Sequence, residues 1–180
     1  MGRLTLFAVV AACAVAIAAQ EAQMSVEDVK SAISRAMAFE HARDRVEAIE
    51  ATRVRAALRN DEMADILLGI ATNGNNRFAL RDFTRYATTN HLSLVGGLIV
   101  ESQRPAAFRV AAFRAYSDID GCGERTERLV DRIVAGDALF TAHDREKMLS
   151  HINSSLPSND TRRVVFASRL ACVKAGETGK

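Results

Sequence analysis

The sequence predicts an all-α protein, a compact bundle of about six or seven helices after a cleaved export leader, stapled by one disulfide. Three observations carry this expectation. Apolar residues recur at three- and four-residue spacing along most of the chain. Only two prolines interrupt it, and β-branched runs long enough for a sheet are scarce. Ser, Thr, Asn or Asp stands before several of the periodic stretches and Gly or Asn closes several of them, the punctuation of helix starts and stops. Of 180 residues 48% are apolar and 26% charged, which excludes a disordered tail. Twenty-four basic residues against 22 acidic ones leave a net charge of +2, too weak a field for non-specific nucleic-acid binding, so no nucleic-acid partner is expected.

The first segment reads as a leader. Arg3 supplies a positive start, Leu4 to Ala19 is apolar except for Thr5, and Ala16-Ile17-Ala18 has the small-x-small form of a signal-peptidase site. The run is shorter than the roughly 20 residues a spanning helix needs, so no transmembrane anchor is expected in the mature chain. Residues 1–19 are therefore assigned to a signal peptide and 20–180 to a single helical domain. A lipoprotein reading on Cys13 meets an apolar run that continues past it, and myristoylation fails because Leu6 stands where Ser or Thr is required.

Ser25 with Asp28 has the spacing of a capping box and opens a long helix over 26–58, carrying Val29, Ile33, Met37, Val46, Ile49 and Val54. Asn60 or Asp61 caps a second helix through Met63, Ile66, Leu67 and Ile70, which Asn73-Gly74 ends. Phe78, Phe83 and Tyr86 mark a third. The apolar run Leu92 to Val100, broken by Gly96-Gly97, fits either a buried helix or an extended segment. Pro105 is placed at the first position of the next helix, through Phe108, Ala112 and Tyr116, and Gly121-Cys122-Gly123 turns the chain. Leu129, Ile133 and Val134 give a face closed by Gly136. Thr141 with Asp144 starts another helix with Met148, Leu149 and Ile152, and Ser158 to Thr161 opens a last one with Val165, Phe166, Leu170 and Val173.

After loss of the leader two cysteines remain, Cys122 and Cys172, and an even pair in an oxidising compartment is expected to form a disulfide. Closing that loop would stabilise the fold by about 4 kcal/mol and pin the last helix to the central turn. Asn153-Ser154-Ser155 and Asn159-Asp160-Thr161 are N-glycosylation triplets in a polar stretch around Pro157, expected as a surface loop. All of this agrees with a secreted, extracellular glycoprotein.

Enzyme motifs are missing: there is no Gly-x-Ser-x-Gly, no phosphate-binding Gly-rich loop with Lys, no His-Glu-x-x-His and no Cys-x-x-Cys. Glu40, His41 and Asp44 share a helical turn but lack the further ligands of a metal site, and His143 and His151 stand apart, so neither metal nor cofactor is expected. Of the basic residues 20 are Arg, the side chain suited to bidentate contact with oxyanions. Arg77, Arg81 and Arg85 recur every four residues with only Asp82 as a local counter-charge, a stripe suited to lipid headgroups, a sulfated sugar or an acidic partner. Arg125, Arg128 and Arg132 alternate with Glu124, Glu127 and Asp131 and read as self-compensated.

The leading expectation is a non-enzymatic binding protein with an apolar small molecule or lipid held near Leu94, Leu98 and Phe108. The second is an extracellular protein that meets an anionic surface or protein partner through Arg77, Arg81 and Arg85. The third, a small hydrolase, has no motif behind it.

Overall fold

A computed structural model describes residues 24–136 and 139–171, and among these every regular element is helical. The expected leader 1–19 and Cys172 lie outside the described residues. Among the described residues nine α-helices follow one another: α1 Val26–Ala36, α2 Ala42–Arg55, α3 Asn60–Gly74, α4 Arg77–Phe83, α5 Leu92–Val100, α6 Ala106–Asp120, α7 Glu124–Ala135, α8 Ala142–Ser155 and α9 Arg162–Ala171. A 3₁₀ turn, Thr89–His91, precedes α5. The chain falls into two units divided after Met63, and no linker marks the division, which lies within α3. Among the described residues no helix is long and apolar enough to cross a membrane.

In the first unit α1 packs against α2. The single helix expected over 26–58 is broken at residues 37–41, with neither Gly nor Pro at the break. The phase of the buried stripe explains it. Val29, Ile33 and Ala36 are buried on α1, and an unbroken helix would carry that stripe on to Glu40, Asp44 and Glu47. Interrupting the helix lets α2 present Ile49 instead, together with the buried Arg45. Ser25 caps α1 as expected, its Oγ accepting from the Asp28 amide at 3.1 Å.

In the second unit α6 is the hub, packed against α4, α5, α7 and α8, while α9 packs on α7 and α8. Phe108, Val110, Ala112, Phe113, Ala115 and Tyr116 of α6 are buried, and the neighbouring helices cover them with Leu80, Phe83, Val95, Ile99, Leu129 and Met148. The Leu92 to Val100 run resolves as a helix. The left-handed residue that ends α3 is Asn75 (φ 49°), one position after the expected pair, and Pro105 stands at the N-cap rather than inside α6. The Thr141–Asp144 capping box is present, with Thr141 Oγ1 accepting from the Asp144 amide at 3.2 Å and Asp144 accepting from the Thr141 amide at 3.2 Å.

Of the expected Cys122–Cys172 bridge only Cys122 is described, a buried thiol with no bridge among the described residues; Cys172 lies outside them. Two arginines fix the path of α9. Arg162 at its start donates to the carbonyls of Gly121 (3.3 Å) and Cys122 (3.1 Å), whereas Arg169 pairs with Glu127 and Asp131 further along α7. Arg162 thus ties the start of α9 to the central turn, and Asp160 holds it by an ion pair at 2.6 Å.

Asn153 is half-buried in the last turn of α8, its Oδ1 accepting from Arg163 Nε at 3.2 Å, not in a loop. Asn159 is exposed between α8 and α9.

Candidate functional site

Three helix faces converge on one groove in the second unit. On α4, Asn76 caps the helix by accepting from the Phe78 and Ala79 amides (3.0 and 3.2 Å), and the opening turns present Arg77, Phe78 and Arg81. On α6, residues 107, 110, 111, 114 and 118 fall on one face at three- and four-residue spacing, giving an apolar strip of Ala107, Val110 and Ala111 that ends in Arg114 and Asp118. On α8, Lys147 and His151 stand one turn apart. Together they line a groove of about 580 Å³.

Its electrostatics are one-sided. Arg77, Arg81, Arg114 and Lys147 have no ion-pair partner among the described residues, and the groove's one carboxylate, Asp118, is taken by His151 at 2.8 Å. Phe78, flanked by the two arginines, is 52% exposed. Cations that gather without counter-ions, beside exposed apolar surface, suit a ligand with an anionic head and an apolar body.

Arg77 and Arg81 of the expected stripe thus meet at this site, but Arg85 lies beyond the C-cap Thr84, exposed and outside the groove. Asp82, expected as their counter-charge, is buried. Leu94, Leu98 and Phe108 do not come together in a cavity. Leu94 is 61% exposed, whereas Leu98 and Phe108 are packed in the interior, with the Arg104 guanidinium 5.2 Å from the Phe108 ring centre. Arg104 is itself tied to the Thr72 carbonyl (2.8 Å) and to Asn75 (3.0 Å), so this corner serves the fold.

Sequence reasoning missed Arg114, Asp118 and Lys147, and the pairing of His151 with a residue 33 positions away. The α6 stripe was readable in the spacing. Which helices face it was not, because that depends on tertiary packing.

The His151–Asp118 pair has the form of a base with its orienting carboxylate, but among the described lining residues only Thr84 carries a hydroxyl, and it donates to the Arg81 carbonyl at 2.8 Å. Among the described residues no three metal-ligating side chains gather. Compared with known proteins, the chain matches no family model, no curated protein and no solved structure.

Proposed function

We propose that the protein is a secreted, non-enzymatic binding protein whose ligand is an amphipathic anion, a long-chain carboxylate in the first instance. Four cations converging without counter-ions at the edge of an apolar strip are the observation that carries this reading. The carboxylate head sits among Arg77, Arg81, Arg114 and Lys147, and the chain lies along Phe78, Ala107, Val110 and Ala111. Arg offers the head paired N–H donors, and the strip removes methylenes from water at about 0.8 kcal/mol each. The export leader, the near-neutral charge and the lack of catalytic motifs agree with an extracellular carrier.

The test is uptake of a fluorescent fatty acid by the purified full-length chain, with the matching fatty alcohol as control. Saturable binding of the acid is expected, the alcohol binding weakly, and the double change Arg77→Ala/Arg81→Ala weakening the acid by about tenfold in a salt-sensitive way. Equal binding of acid and alcohol, or a double variant that binds as the parent does, removes the reading. The exposed Phe78 between two guanidiniums favours a second reading, an extracellular protein contact on this same face. No uptake of either lipid, together with an anionic protein partner lost on Phe78→Ala, would select it.

A further inference from the structure

A second groove, of about 460 Å³, runs between α5, α6 and α7 and is lined among others by Gly96, Gly97, Tyr116, Arg125 and Arg132. Of the acids interleaved with the three arginines of α7, Glu124 pairs with Arg128 as the spacing suggests, while Glu127 and Asp131 pair instead with Arg169 of α9 at 3.4 and 3.1 Å. Arg125 and Arg132 are left with no ion-pair partner among the described residues. They stand seven residues apart on one face, about 10 Å along the axis, and Arg side chains are long enough to converge on an anion held midway.

Tyr116 forms the buried end of the groove. The residue is only 7% exposed, and its hydroxyl, which hydrogen-bonds no described residue, lines the groove and is available to donate to a ligand there. Burial pushes the phenol above its ordinary value and Asp120 adds to that, while Arg132, Arg125 and Arg128 pull the other way; the group remains a neutral donor at physiological pH. Asp120 does not compete for it as an acceptor at close range, since its Oδ2 takes both the amide and the hydroxyl of Thr126 at 2.8 Å.

The opposite wall is bare helix. A Cβ at Gly96 would rest on the Tyr116 ring at 3.4 Å, whereas at Gly97 nothing lies within 4 Å. Glycine is a costly residue inside a helix relative to Ala, and here it keeps open a space that a side chain would fill. Ser93 and Asn90 add hydroxyl and amide groups to the same lining.

We propose that this groove is a phosphate-ester site, with the phosphate held by Arg125, Arg132 and the Tyr116 hydroxyl and the ester's organic part laid across Gly97. A phosphate dianion matches two guanidiniums and one neutral donor in both charge and number of acceptor oxygens, which a monoanionic carboxylate does not. The site is independent of the carboxylate groove between α4, α6 and α8.

The protein has two tyrosines and no tryptophan, so in full-length Tyr86→Phe protein Tyr116 is the sole fluorophore. Titration with glycerol phosphate, and in parallel with inorganic phosphate and sulfate, is expected to change its emission saturably, with the ester binding tightest. Arg125→Gln and Arg132→Gln should each weaken the ester by about tenfold or more. Gly97→Leu, whose side chain enters empty space, should abolish binding while the melting temperature holds. Phosphorus NMR line broadening of glycerol phosphate on the unmodified chain gives the same reading should Tyr86→Phe fail to fold. A flat titration with every anion, inorganic phosphate or sulfate binding as tightly as the ester, or an undiminished response in Arg132→Gln and Gly97→Leu would overturn the assignment. Fatty-acid uptake read on the same variants should be unchanged, which separates failure of this site from failure of the other.

Discussion

Cys122 occupies left-handed backbone (φ 51°) between Gly121 (φ 62°) and Gly123, and its thiol is buried and pushed up from its ordinary 9 to about 11, chiefly by burial, with Asp118 adding to the rise. The folded state thus prefers the protonated thiol. Between pH 9 and about 11 the unfolded chain ionises Cys122 while the folded one does not, so this contribution is complete below pH 9 and is lost as pH rises through that window. Urea denaturation of Cys122→Ala at both ends of the window should show a smaller fall in stability than the parent does. A parallel fall would remove the titration from the account. The thiol should also resist alkylation in the native state at neutral pH and react once the chain is denatured without reductant, whereas a bridged cysteine would stay silent in both. At this scale the sequence was partly legible. The Gly-flanked turn announced itself, but the buried guanidinium of Arg109, 4.6 Å from the Phe140 ring centre, had no signal, because what shelters an arginine depends on helices distant in sequence.

At the scale of the element, capping residues were the most faithful guides: Ser25, Thr141 and the chain reversal at Gly121 all lie where hydrogen-bonding logic puts them. Local rules settle caps. The break between α1 and α2 was missed because a run of helix formers without Gly or Pro looks continuous, and only the phase of the apolar stripe against Glu40, Asp44 and Glu47 reveals that continuity would place acids on the buried face. Glycines inside helices offer a direct check of how local the propensities are. Gly69 lies within α3, and a Cβ there would meet nothing within 4 Å. Gly69→Ala should therefore stabilise the protein by up to about 1 kcal/mol, through helix propensity alone. Thermal and urea unfolding check this; a loss of stability would mean that the space beside Gly69 is needed.

For the whole molecule, helical class and near-neutral charge were legible, whereas the distribution of that charge was not. A sum of +2 conceals a second unit in which acids are consumed by structural pairs, Asp160 with Arg162 and Glu127 and Asp131 with Arg169, so that unpaired arginines collect at two grooves. Counting charges along the chain pairs neighbours, but folding pairs whatever packing brings together. The same difference decides between the two glycosylation triplets if the chain is exported as proposed above. An acceptor asparagine must present its amide freely on a surface loop. Asn159 does so, whereas Asn153 is helical and engaged by Arg163. Expression in a eukaryotic secretory system should yield a product that has lost residues 1–19 and carries one glycan, removed by Asn159→Gln and kept by Asn153→Gln. Intact mass before and after glycosidase treatment reads both features at once. A retained leader would sink the extracellular assignment, and a glycan on Asn153 would show that the transferase acts before α8 closes over that side chain.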